Sequence, residues 1–384
     1  MNQSRSRFIR FCVLQGAWWS FYAAIPGFLV AYMSDRGLSE SITGGILALG
    51  LLTTFLGALF WGRFNDRRGG GKLYYIVGNC AALALCAAML PLAGNAAAMF
   101  VLYPLFGFMT GSVATTLDAW VISSMPERRD AVGFSRTFAT LGYALVMLLE
   151  GQWISRHGYG IMLPVGAALI ILSVCAALRQ PETRRVSQRK VRERGGMGAL
   201  LGIRNYRLLL LIVFITGLCV APINNMKAVV IQSVGGDVSL LGVDAFLGCL
   251  IQALFMALSG KMRRLPVRLR LCVAVGMPLL YAVLVMLASS PIWVICGTFC
   301  NGISYGILFP TMREMTESSV SEDNRNTAHA LVDTAYGSLS GMIATATGGA
   351  LLQGGGTKLL GSVCTGLQLI AFALAGVQAK TAKE

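Results

Sequence analysis

The sequence predicts an all-α membrane protein of twelve transmembrane helices in two pseudo-symmetric six-helix bundles. Three observations carry that prediction: recurrent apolar segments long enough to cross a bilayer, an alternation of basic loops, and a partial duplication of the first half in the second. Of the 384 residues, 55% are hydrophobic and only 13% charged, and the mean hydropathy is +0.66. A soluble domain carries about 25% charged residues, so a water-soluble fold of this chain would lack a polar surface.

The apolar segments are predicted at about 8–32, 41–64, 73–93, 97–124, 131–153 and 159–178, then 207–230, 239–260, 270–289, 291–316, 326–353 and 358–378. Each matches the roughly 20 residues a helix needs to cross a hydrocarbon core of about 30 Å. Every backbone amide in lipid must be satisfied within its own segment, so helices are the spanning element. The first segment is too long for a signal-peptide core, lacks a small-residue cleavage site and contains Pro26 with several aromatics, so it reads as a retained helix.

The formal charge of +15 would suggest nucleic acid in a soluble chain, but 28 of the 32 Lys and Arg fall in alternate loops and the two termini. Arg36, Arg156, Lys227 and Lys358 are the exceptions. The positive-inside rule then places both termini in the cytoplasm and excludes a nucleic-acid partner. The partners implied are a lipid bilayer and whatever small molecule the helices enclose. The ten cysteines lie mostly within apolar segments without pairs at metal-ligand spacing, so neither a disulfide framework, a metal site nor a cofactor is expected.

The only long polar run, from Gln180 to Gly196, falls near the middle. It divides the chain into an N-terminal bundle (1–178), a cytoplasmic basic linker (179–206) and a C-terminal bundle (207–384). At an offset of 198, Leu49-Gly50 meets Leu247-Gly248, Gly62 meets Gly260, Lys72 meets Arg270 and Gly78 meets Gly276. At an offset of 195, Ser123-Ser124-x-x-Glu127 meets Ser318-Ser319-x-x-Glu322, and Gly142 meets Gly337. Such parallel repeats are characteristic of proteins that rock two bundles about a site near the membrane midplane. One chain with both halves would form a complete pathway as a monomer.

After the second segment comes Gly62-Arg63-Phe64-Asn65-Asp66-Arg67-Arg68-Gly69, which resembles the G-x-x-x-D-R-x-G loop of the major facilitator superfamily. Gly62 is expected to let helices approach, Asp66 to accept hydrogen bonds at a helix end, and the basic residues to anchor at lipid headgroups. The resemblance implies a cytoplasmic gating role for Gly62, Asp66, Arg67 and Gly69; the alternative is a basic turn that obeys topology alone. A second motif runs from Asp118 to Tyr143. Asp118 is followed eighteen positions later by Arg136, and Tyr143 follows Gly142. This is similar to the helix 4 to helix 5 region of lactose permease and its relatives, the oligosaccharide and nucleoside proton symporters. The resemblance implies that Asp118 and Arg136 hydrogen-bond a sugar and that Tyr143 stacks on it. A carboxylate and a guanidinium together offer acceptors and a fork of donors to vicinal hydroxyls while neutralising each other in low dielectric. The alternative is that the two simply pair near the cytoplasmic ends of their helices.

The likeness extends to Phe21-Tyr22, Pro26, Gly37-Leu38-Ser39 and Thr43-Gly44, and to Asn301-Gly302-Ile303-Ser304-Tyr305. The second half departs from it, with Gly302 and Tyr305 where lactose permease carries a His and a Glu for proton handling. Other groups must then couple to protons or another ion. The candidates are Glu150, Asp244, Glu314, and Asp333 with His329 four residues before it on one helical face. Asp333 is favoured; it reads equally well as a salt-bridge partner of Arg313. In helix 7, Asn224 and Asn225 follow the ladder-breaking Pro222. They either hydrogen-bond substrate hydroxyls or mark the outer end of the helix. Trp18, Trp19 and Tyr22 offer a stacking surface or serve as packing.

By resemblance the chain is a secondary transporter of a sugar or nucleoside in symport with protons, in the inner (plasma) membrane. Proton-driven efflux of an amphipathic compound is the alternative within transport, and a non-transporting membrane receptor or sensor the alternative outside it. An enzyme is not expected: no nucleophile with a base, metal-ligand cluster or phosphate-cradling loop is found.

Overall fold

The structure, a computed structural model, describes residues 2–128, 131–182, 197–262 and 264–381. Among these no strand occurs, and helices long and apolar enough to span a membrane follow one another along the chain. They are α1 (Arg5–Asp35), α2 (Glu40–Arg68), α3 (Lys72–Met89), α4 (Ala96–Ser124), α5 (Ala131–His157), α6 (Tyr159–Leu178), α7 (Arg204–Asn225), α8 (Val238–Met262), α9 (Val267–Met286) and α10 (Pro291–Ser319). A last helical stretch, Thr327–Gln378, is 52 residues long. At 1.5 Å per residue it measures about 78 Å, more than twice a hydrocarbon core. It is broken at Gly355 and at Gly356, whose φ of 59° and ψ of −157° are open only to glycine. The two parts, α11 (327–354) and α12 (357–378), complete twelve crossings.

Contacts divide the chain into two compact units. The first comprises Met1–Arg189 with Asp237–Phe246, the opening of α8. The second comprises Lys190–Gly236 and Leu247–Glu384. Of the linker expected over 179–206, residues 183–196 lie outside the described residues, and Met197–Gly202 forms a short helix ahead of α7.

Within the first unit α1 runs along α5 and α6, α2 along α4, and α3 along α4 and α6. Lipid tails are as apolar as leucine, so helices associate by close packing rather than hydrophobic burial. Small residues make this possible where α2 crosses α4. A Cβ at Gly57 would collide with the Phe108 carbonyl, and one at Gly111 with the Thr54 carbonyl. In the second unit Ile212 of α7, Val275 of α9, Leu308 of α10 and Ala371 of α12 share one core. Tyr206, Met312 and Val332 bring α7, α10 and α11 together in another.

Candidate functional site

The segment that carries Asp118 is aimed by a kink in α4. Its helix stops at Thr110 and resumes at Val113, with Ser112 at φ −114° and ψ 3°. The interrupted ladder is repaired from α3. The Tyr74 hydroxyl donates to the Met109 carbonyl at 2.9 Å and accepts from the Ser112 N–H at 3.1 Å. Beyond the kink, Asn65 of α2 donates to the Thr116 hydroxyl at 2.9 Å and ties this segment to the end of α2.

Asp118 is 16% exposed and Arg136, on α5, 56% exposed. The guanidinium grips the carboxylate through two donors, its Nε lying 3.2 Å from Oδ1 and its second nitrogen bonding Oδ2. Gln15 of α1, buried, donates its amide to the same Oδ1 at 2.8 Å. A carboxylate thus sits at the junction of α1, α4 and α5, with the arginine as its more exposed partner. Half-buried Tyr143 lies seven residues beyond Arg136, two helical turns along the same face of α5. On α1, Trp19 and Tyr22 pack ring to ring at 5.9 Å, and Trp18 against Phe21 at 5.6 Å.

Further along α5, Met147, Glu150, Gly151 and Ile154 form its buried face. Glu150 is 5% exposed, and neither carboxylate oxygen has a hydrogen-bond partner among the described residues. Beside it the opening of α8 lies against α5: a Cβ at Gly242 would run into the Met147 carbonyl, and one at Gly151 would come within 3.2 Å of Gly242. Asp244, two residues on, is buried. Just before α8, Asp237 accepts from the hydroxyls of Ser155 at 2.5 Å and Ser239 at 2.7 Å. Partial burial raises its carboxyl, but these bonds and the N–H groups of Leu240 and Ser239 outweigh that and hold it below its ordinary value.

In the second unit, α7 ends at Asn225 and a short helix, Lys227–Ser233, follows the break at Met226. Asn224 accepts from the Tyr281 hydroxyl at 2.9 Å, and Asn225 donates to Thr345 at 2.7 Å. The expected coupling groups are dispersed. Asp333 is ion-paired with Arg313 at 2.5 Å. His329 lies 3.5 Å from Glu317 rather than with Asp333. Glu314 takes both arms of Arg270, at 2.9 and 2.8 Å. A π-helical turn, Thr334–Leu339, directly follows Asp333.

The expected gating loop closes α2. Gly69 adopts φ 73° and ψ 14°, and its N–H caps the helix by donating to Asn65 at 2.9 Å, the left-handed position that favours glycine. Asp66 and Arg67 are exposed. The expectation that Gly62 lets helices approach is corrected. A Cβ there would meet nothing within 4 Å, and the close approach on α2 falls one turn and a half earlier, at Gly57.

Residues 11–360 match the profile of the family described as "MFS_1 like family". The chain belongs to the MFS_1-like family. It is 25% identical over 374 residues to maltose permease of Geobacillus stearothermophilus, covering 95% of this chain and 93% of that protein. Its fold matches a crystal structure of a mutant of the nucleoside transporter NupG with a TM-score of 0.81, at 14% identity over 98% of both chains. It matches the D-xylose-proton symporter with a TM-score of 0.72, at 13% identity over 95% of this chain and 96% of that one. This MFS_1-like chain is a multi-pass membrane transporter of the major facilitator type, not an enzyme.

Two polar positions of the MFS_1-like chain, each bonded to a neighbouring helix, escape sequence reading. Gln15 looks like one more polar residue near a cytoplasmic end. Its signal is spacing, since it precedes Trp18, Trp19 and Tyr22 by three, four and seven residues and so shares a helical side with them. Lys227, left over from the loop tally, turns out to be buried with its ammonium 2.6 Å from Thr298.

Proposed function

We propose that this transporter moves a small polar solute of the sugar or nucleoside class by alternating access, in symport with protons, as a monomer in the plasma membrane with both termini cytoplasmic. The observation that carries the reading is the Gln15, Asp118 and Arg136 constellation. Gln15 holds the carboxylate from behind, so Asp118 remains oriented when Arg136 turns to a ligand. Together they present two acceptor oxygens and a planar fork of donors, which suits adjacent hydroxyls on a ring. Tyr143, two turns along α5, offers a face for that ring. The maltose permease and nucleoside transporter among its relatives fit this substrate class.

Of the five coupling candidates we assign the proton to Glu150. Asp333 and Glu314 are each held by an arginine, whereas Glu150 is packed in a helix crossing without a donor among the described residues. An ionised carboxylate there would be costly, so entry of water to this face and ionisation of Glu150 would go together.

The test records cytoplasmic pH in energy-depleted cells expressing the chain as members of a sugar and nucleoside panel are added. Acidification specific to one solute, lost in Asp118→Asn, is expected. No acidification with any member would sink uptake by symport for this panel.

A further inference from the structure

Where α7 begins, the second unit carries a largely apolar groove of about 640 Å³ with two arginines in its lining. One wall is a stripe along α7: Arg204, Arg207, Leu208, Leu211 and Phe214. The last four lie three, four, seven and ten residues beyond the first, so all five share one side of the helix. Another wall is built by α11, from Leu331 and from Thr334, Ala335 and Leu339 of its π-helical turn, a form concentrated at functional sites. Charge and hydrocarbon are segregated along the stripe. Both arginines lie in the first turn of α7. From Arg204 to Phe214 the helix rises about 15 Å, half of a hydrocarbon core and so the depth of one leaflet.

The seam between α7 and α11 is fixed before anything enters the groove. The Tyr206 hydroxyl donates to the Ala328 carbonyl at 2.8 Å, and a Cβ at Gly217 would come within 2.3 Å of the Tyr336 carbonyl. Arg207 is steadied by donating to the Leu201 carbonyl at 3.3 Å. Both arginines are exposed, and among the described residues neither is ion-paired. Asp333, next to Thr334 of the wall, is neutralised by Arg313, so the groove is left with a positive charge. Cations in the first turn of a helix oppose its dipole, so the two arginines do not serve the stability of α7 itself.

We propose that this groove is a site for one anionic phospholipid, its phosphate on Arg204 and Arg207 and an acyl chain along Leu208, Leu211 and Phe214. Charge complementarity selects the headgroup. Guanidinium forks pair with phosphate oxygens through two donors each, and basic pockets between transmembrane helices suit anionic headgroups. A zwitterionic lipid would bring its own cation to the arginines. The apolar stripe selects the tail, since a soluble phosphate would leave it uncovered. The walls are set in advance, so little ordering of the protein accompanies binding. The site is independent of which solute the transporter carries.

The test is native mass spectrometry of the full chain, delipidated in detergent and titrated with phosphatidylglycerol or phosphatidylcholine of the same acyl chains. The first phosphatidylglycerol is expected to bind ten-fold or more tightly than the first phosphatidylcholine. Arg204→Gln and Arg207→Gln should each weaken phosphatidylglycerol about five-fold, the worth of one basic residue at an anionic lipid surface, and leave phosphatidylcholine unchanged. Leu339→Trp fills the groove, spares both arginines and should weaken phosphatidylglycerol as well. Arg264→Gln, at an exposed position between α8 and α9 outside the groove, should change nothing. Equal binding of the two lipids, a preference that survives loss of both arginines, or an equal effect of Arg264→Gln overturns the site. Displacement of phosphatidylglycerol by glycerol phosphate at the same concentration would show a soluble phosphate site and overturn the lipid. Should an arginine variant fail to fold, Leu339→Trp still decides: phosphatidylglycerol binding that it leaves unchanged overturns the groove.

Discussion

Arg270 is 5% exposed and Glu314 39% exposed, joined by two hydrogen bonds at 2.9 and 2.8 Å. Glu314→Gln keeps the shape of the side chain and removes its charge, leaving the guanidinium buried against a neutral amide. Removing one member of a buried pair costs about 3–5 kcal/mol. Solvent reaches the carboxylate side here and screens it, which lowers the expected loss to about 2 kcal/mol. Arg270→Met with Glu314→Gln removes the stranded charge as well and should recover roughly half of that loss. Reversible unfolding in mixed micelles with increasing sodium dodecyl sulfate, read by tryptophan fluorescence, measures all three variants. Since the pair joins α9 to α10 at one end of the second unit, Glu314→Gln should leave solute-driven acidification intact once the protein is folded. A stability within about 0.5 kcal/mol of wild type, together with loss of acidification, would refute the reasoning and restore Glu314 as a coupling group.

Glu150→Gln should be the converse case. No donor is lost, so stability should change by less than about 0.5 kcal/mol, while solute movement in the same pH assay should no longer carry protons. Tyr74→Phe removes the hydroxyl that serves both Met109 and Ser112 at the α4 kink, and should cost about 1–3 kcal/mol in the micelle titration. Asp237 has its carboxyl lowered in the folded state. It therefore contributes stability above its unfolded value, about pH 4, and loses it as pH falls through the folded one. Because it is exposed, the contribution is below about 1 kcal/mol. Stability of Asp237→Asn measured from pH 7 to pH 3 should show a correspondingly shallower acid decline.

Much of the molecule is legible along one dimension because the bilayer allows few answers. An apolar run of about 20 residues has one low-energy form in lipid, so the twelve expected segments appear as separate helices or helix parts near their expected places. Even the long final stretch is broken where the sequence places Gly354-Gly355-Gly356. The pairing of Asp118 with Arg136 was likewise foreshadowed, since two antiparallel helices joined by a short turn bring residues at that separation opposite each other.

Partners distant in sequence were not legible. Gln15 reaches Asp118 across 103 positions, Lys227 reaches Thr298 across 71, and Arg270 reaches Glu314 across 44. Each depends on how a helix is rotated about its axis, a quantity that hydropathy leaves free when most of the surface is apolar. The same rotation separates Gly57, which lies against α4, from Gly62, which does not. The sequence by itself determined that this chain crosses a membrane twelve times in two related halves and where its charges lie along each helix. Only the tertiary structure decided which of those charges neutralise one another, and which, like Glu150, are buried without a donor among the described residues, because pairing in a low-dielectric interior depends on distances of a few ångströms between helices.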